Sequence, residues 1–304
     1  MTESRRKSRG FSLVEIAIVL AILGFVLTIG LQATGAYLSH ERRKVSLARV
    51  AGLDVALANY VAVQGRLPCP ADGSLATGVA LAGVEARAAG VCTAMDTGVV
   101  PWVTLGLTES EALDGWNTRL SYRTVSAVAA PASLGFTSNR SLDATGCDPG
   151  ATVERNPPPP AVPPPVPPPV PREACVAGCT LANLANLANC TSPLNFVTGR
   201  GLNVRDAVAG TLLMDPAAGT GAAYVLISHG ENRGGGYDRA GTLQAGTPAN
   251  DVLEAPNANN QALPAAFIDA PFNDSDGGAR FDDIVSRPTL MTLLVKAGLA
   301  PRAH

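Results

Sequence analysis

The sequence predicts an α+β fold: a long N-terminal α-helix leading into a region of short strands, with a proline-rich insertion. Three stretches carry that reading. From Phe11 to about Leu31 the chain is almost unbroken apolar residues, and "KVSLARVAGLDVALANYVAVQG" behind it keeps apolar positions at three- and four-residue steps. Arg119 to Val125 and Tyr224 to Ile227 have the β-branched and aromatic content of strands. Between those two runs, "NPPPPAVPPPVPPPVPRE" cannot pack a core, because proline fixes φ and removes backbone donors.

The N-terminal element is "RRKSRGFSLVEIAIVLAILGFVLTIGL". Its apolar part is long enough to cross a bilayer as a helix, which takes roughly 20 residues. Arg5, Arg6, Lys7 and Arg9 keep its start in the cytoplasm and send the rest of the chain across. "HERRK" at 40–44 then lies on the far side, against a strict charge count, with the leader cluster dominating. A secretory signal peptide has a shorter core, about 7–15 residues, and a small-residue cleavage site. A plain anchor fits the length but leaves Glu15 unexplained, since an ionisable group inside a membrane segment is costly and marks function.

The basic leader, Gly10, Phe11 and "FSLVEIAIVLAILG", with Glu15 at the fifth place after the glycine, resemble the class III signal of type IV prepilins and type II secretion pseudopilins. The resemblance implies cleavage between Gly10 and Phe11 by a prepilin peptidase and N-methylation of the Phe11 amine. It also implies filament assembly in which Glu15 pairs with the terminal amine of a neighbouring pilin or pseudopilin subunit. A carboxylate that is costly alone is compensated by that cation, which rewards correct register between chains. Where the family often has a proline in the mature helix, this chain reads "TIGLQATGAY", with Gly30 and Gly35 as helix-loosening residues. The implied location is the bacterial inner membrane with a periplasmic headgroup, and an extracellular filament after assembly. The expected organisation is a leader at 1–10, an assembly helix at 11–35, headgroup at 36–145, a Cys- and Pro-rich insertion at 146–192, and headgroup again at 193–304.

Beyond the membrane segment, Leu47, Val50, Leu53, Leu57, Tyr60 and Val61 form an apolar stripe, so the helix is expected to run to about Gly65. In pilin-like proteins an antiparallel sheet covers such a stripe, and the resemblance supplies that cover here. Pro68, Pro70 and Gly73 of "GRLPCPADG" end the helix. Pro101 to Leu105 is expected as a short strand or turn, and Trp102 and Trp116 as anchors of the helix on the sheet. "DGWNTRLSY" is similar to the family's aspartate, tryptophan and following strand. After the insertion, "LNFVTGRGLNVRDAV" and "AAYVLISHGENRGGGYD" return to strand-like text, and the tail adds a last strand or short helix.

Six cysteines in an exported domain suggest disulfides. Cys69 with Cys92, and Cys147 with Cys175, Cys179 or Cys190, are the pairings that close small loops. Zinc at Cys175 and Cys179 is disfavoured by the lack of a C-x-x-C pair and by only three histidines, His40, His229 and His304. Ser228, His229 and Glu231 invite a hydrolase reading. Neighbours in a strand point to opposite faces, however, and neither the nucleophile-elbow nor the phosphate-loop spacing is present. Asp274, Asp276, Asp282 and Asp283 could serve calcium, which takes about six to eight oxygens, although they depart from the EF-hand pattern. Major pseudopilins bind calcium in a C-terminal loop of this kind, and the competing reading is an ordinary solvated turn. No other cofactor is called for. A net charge of −2, with no basic stripe beyond the leader, argues against nucleic acid as a partner of the headgroup. The expected role is a structural subunit rather than an enzyme; the alternative is a membrane-anchored adhesin or binding module that uses the insertion.

Overall fold

The computed structural model describes residues 12–88, 91–126, 135–138, 141–144, 196–245, 252–259, 264–275 and 278–301, with the backbone alone at 26–36. The leader, Gly10 and Phe11, the insertion at 146–192 with Cys147, Cys175, Cys179 and Cys190, and Asp276 lie outside the described residues. The chain divides into two compact units between Arg43 and Lys44. Helix α1, Leu13–Gln64, contributes to both. It ends where expected, at Gly65, whose φ of +63° suits glycine at a helix C-terminus.

In the first unit, Leu13, Val14, Ile16, Ile18, Val19, Leu20, Ile22, Leu23 and Phe25 are all exposed. They lie on every face of the helix rather than on one stripe. A helix that is apolar all round is stable only when lipid or other chains surround it. Among the described residues, the stretch long and apolar enough to cross a membrane is Tyr37–Gln64, which is partly buried, while Leu13–Phe25 is an apolar but shorter stretch of the same helix.

The second unit is built on the rest of α1. Val50, Leu53, Leu57 and Val61 of the predicted stripe are buried in its core, together with Ala58. Leu47 is not: it is exposed, and Ser46 takes the buried position beside it, its Oγ accepting a hydrogen bond from the Gly115 N–H at 2.9 Å. Tyr60 is only partly buried.

The strands are short: β1 Ala71–Asp72, β2 Arg87–Ala88, β3 Val91–Cys92, β4 Gly98–Val99, β5 Ser121–Thr124, β6 Val204–Arg205, β7 Leu212–Met214, β8 Tyr224–Ser228, β9 Phe267–Ile268 and β10 Ile284–Ser286. The main sheet has the order β1-β4-β5-β8-β10 and every pairing in it is antiparallel. Its centre is β5 on β8, with Ser121 opposite Ile227 and Thr124 opposite Tyr224. The helix is fastened to it by polar pins as well as by the core: the Tyr224 hydroxyl donates to Asp54 Oδ1 at 2.8 Å, and the Ser286 hydroxyl donates to the same carboxylate. This is the α+β, helix-on-antiparallel-sheet arrangement expected.

A three-stranded sheet of order β7-β6-β9 departs from an all-antiparallel plan, because β6 and β9 run parallel. Parallel neighbours need a long crossover, and the chain between Arg205 and Phe267 provides one. Pro101 to Leu105 is a turn, closed by the Leu105 N–H on the Pro101 carbonyl at 3.0 Å. Trp102 joins the core, and Trp116 is buried outside that cluster. Where a last strand or a short helix was expected, the tail holds one of each: β10 and a short helix α2, Leu290–Lys296, whose Thr289 hydroxyl caps it by accepting from the Thr292 N–H.

A disulfide joins Cys69 to Cys92, the pairing that sequence proximity favoured. Beside it, Arg66 grips Glu85 through two nitrogens at 2.7 and 2.9 Å, and Glu85 Oε2 also accepts from the Cys69 N–H at 2.9 Å. Burial works against the Glu85 charge, but the Arg66 hydrogen bonds hold its carboxyl below the usual range.

Candidate functional site

Ser12 and Glu15 open α1. The Ser12 hydroxyl accepts from the Val14 N–H at 3.3 Å, and Glu15 Oε2 accepts from the Ser12 N–H at 3.0 Å. The S-x-x-E spacing thus places Glu15 where it reaches back over the first turn, as the glutamate of a capping box does. A carboxylate here also meets the positive end of the helix dipole. Glu15 therefore has a local structural role in addition to the intersubunit role that the prepilin resemblance implies. The sequence pattern for that local role was in plain view.

The residues of the hydrolase reading do not act together. The Ser228 hydroxyl donates to Asp114 Oδ2 at 2.8 Å, whereas His229 Nε2 lies 2.7 Å from Ser121 Oγ on the neighbouring strand. This is the alternation of faces that a strand imposes. Beyond His229, its Nδ1 is 3.9 Å from Asp283 Oδ1, so Ser121, His229 and Asp283 fall in a line. All three are enclosed, Ser121 at 0% exposure. Burial, with the Arg123 charge nearby, drives the His229 imidazole down to about 3, where it is a poor proton acceptor. The three side chains are closed off from solvent, and the 3.9 Å gap leaves His229 Nδ1 and Asp283 Oδ1 each without a hydrogen-bond partner.

The predicted acidic constellation is rearranged. Asp282 and Asp283 come together with Glu254, a residue that sequence reading missed, and one oxygen from each lies within 4.8 Å of the others. Asp274 is exposed and stays outside this group. Glu254 Oε1 accepts from the Asp282 N–H at 2.7 Å, and Asp282 Oδ2 accepts from the N–H groups of Glu231 and Asn232 and from Arg280 Nη2. Asp283 Oδ2 accepts from Asn257 Nδ2 at 2.8 Å, while Asp283 Oδ1 has no hydrogen-bond partner. The turn after β8 wraps closely round this group. At Gly230, with φ at +58°, a Cβ would stand 2.3 Å from Asp282 Oδ1, so only glycine fits. Burial, then the neighbouring carboxylates, pushes Asp283 well above the usual carboxyl range, and Glu254 is raised by burial and by Asp282.

Comparison with curated proteins and with solved structures gives no match. Residues 5–31 match the family model of the prokaryotic N-terminal methylation motif. The chain thus carries a class III prepilin signal, which is consistent with the type IV pilin-like family and makes its N-terminal segment that of a prepilin peptidase substrate.

Proposed function

We propose that this chain is a structural subunit, a pseudopilin or minor pilin, of a type IV pilus or type II secretion filament. The observation that carries the reading is the match to the methylation motif at residues 5–31; on this reading Gly10 and Phe11 flank the cleaved bond, Phe11 is methylated and Glu15 serves assembly. In this reading residues 1–10 are removed, the Phe11 amine is methylated, and the apolar helix waits in the inner membrane with the headgroup in the periplasm. It then passes into a filament of other subunits. The all-round exposure of apolar side chains between Leu13 and Phe25 supports it, because only lipid or neighbouring helices can cover such a surface. The test is the intact mass and N-terminal residue of the protein from its native membrane. A mature chain beginning at methylated Phe11, lost in Gly10→Ala, is expected. A chain that keeps Met1, or one cut well beyond Phe11, would overturn the reading.

A second reading concerns calcium in the headgroup, with Glu254, Asp282 and Asp283 as the ligands. Three carboxylates buried together repel one another, and the unpartnered Asp283 Oδ1 is an oxygen that a hard cation would satisfy. Without a cation, the raised carboxyls of Glu254 and Asp283 favour the protonated state in the fold. The folded state then binds more protons than the unfolded chain, so stability falls as pH rises from about 5 towards 7.5. Thermal unfolding in a chelator should show that loss, and millimolar calcium should reverse it at pH 7.5 but not at pH 5. A melting temperature indifferent to calcium at both pH values removes this reading.

A further inference from the structure

The two feet of the proline-rich excursion are built into the core. On the outgoing side Phe136, Leu142 and Ala144 are fully buried, and on the returning side Phe196 and Val197 are nearly so. The outgoing foot is tied at several points. The Phe136 N–H donates to the Val125 carbonyl at 2.8 Å, the Leu142 N–H to the Gly65 carbonyl at 3.0 Å, and the Ala144 N–H to the Leu299 carbonyl at 3.1 Å. One side chain joins the two feet. Arg200 Nη2 donates to the Ser141 carbonyl at 2.8 Å and Nη1 to the Phe196 carbonyl at 3.3 Å. Its guanidinium carbon lies 5.0 Å from the centre of the Phe136 ring and 4.3 Å from that of Phe196.

Arg200 is an expensive residue to keep there. It is 6% exposed and pairs with no carboxylate among the described residues, and burial alone lowers its guanidinium to about 10. A buried cation without a counter-charge is tolerated only where its donors and its flat faces do something an apolar side chain cannot. Here the planar fork reaches a carbonyl on each foot at once, and each foot supplies an aromatic ring. Lysine has neither the fork nor the flat face. The need for such a tie follows from chain entropy: the cost of holding two ends together grows with the length of chain between them, and 51 residues separate Ala144 from Phe196.

We infer that Arg200 is a clasp that closes the root of the proline-rich excursion, fixing where the chain leaves and re-enters the headgroup whatever lies between. The inference is independent of the filament reading.

Amide hydrogen exchange on the full-length protein tests this. In Arg200→Ala and Arg200→Lys, amides at 135–144 and 196–200 should exchange at least about tenfold faster, while those of β5 and β8 keep their rates, because the root opens locally without global unfolding. A second background removes residues 146–192 and joins the feet by a short Gly/Ser linker. There the linker itself holds the feet, and Arg200→Ala should leave root exchange within about threefold of its parent. Uniform acceleration across β5 and β8, unchanged exchange at the root, or an equal effect in both backgrounds would each overturn the clasp.

Discussion

Glu109→Ala is expected to destabilise the protein by about 3–5 kcal/mol, the usual cost of removing one partner of a buried ion pair. The partner left behind is Arg119, whose side chain is wholly enclosed. Its Nε and Nη2 both donate to Glu109 Oε1, at 3.1 and 2.8 Å, and Nη1 donates to the carbonyls of Gly73 and Leu75. Its guanidinium also sits over the Trp102 ring at 5.0 Å. With Glu109 gone, those carbonyls and that ring remain, but no described carboxylate is left to balance the charge. For a domain of this size the loss corresponds to roughly 10 °C in melting temperature, measured by thermal unfolding of the full chain in detergent. Glu109→Gln keeps an acceptor and should cost less. Adding Arg119→Met to Glu109→Ala should recover part of the loss, because an apolar side chain needs no counter-charge.

The pH dependence of the same pair has a definite sign. Burial would raise the Glu109 carboxyl, but hydrogen bonds from Thr77 and Arg119 hold it below its usual range. Its contribution is therefore present above the unfolded-state value near pH 4.5 and fades as pH falls through the lower folded value. The gap between wild type and Glu109→Ala should narrow in acid. A gap below about 1 kcal/mol at neutral pH would mean that the carbonyls alone keep Arg119 satisfied.

What could be read in the sequence follows the range of the interactions. The helix period placed Val50, Leu53, Leu57 and Val61 in the core because each repeats its neighbour's environment one turn on. Leu47 failed because a hydropathy stripe cannot see that Ser46 has a backbone N–H waiting for it at Gly115. Strands β5 and β8 were visible as runs of strand-forming residues, whereas the two-residue strands β1, β4, β6 and β9 are shorter than one full alternation. The Cys69–Cys92 bridge links near neighbours in sequence. Glu254 stood outside the acidic run because the loop that brings it to Asp282 comes 28 residues earlier in the chain. The pairing of Ser121 with His229 spans 108 residues and depends wholly on strand register.

Glu15 is where two readings of one side chain can be separated, and Glu15→Gln is the variant that does it. Glutamine serves at this position of a capping box as glutamate does, so the Ser12 N–H keeps an acceptor and α1 keeps its first turn. The negative charge is lost. If that charge pairs with the amine of a neighbouring mature chain, the variant should be cleaved at Phe11 as wild type is, yet be depleted from filaments by an order of magnitude or more. The basis for that size is that a charge left unpaired among apolar helices costs several kcal/mol. Glu15→Ala loses the cap as well, a further cost of about 1 kcal/mol by analogy with other capping losses. It should therefore assemble no better than Glu15→Gln. The measurement is the ratio of filament to membrane-bound protein, with the N-terminal residue checked in both pools. Normal filament incorporation of Glu15→Gln, with failure confined to Glu15→Ala, would make helix capping the reason for the carboxylate. Failure of both, with cleavage intact, would make it the intersubunit charge.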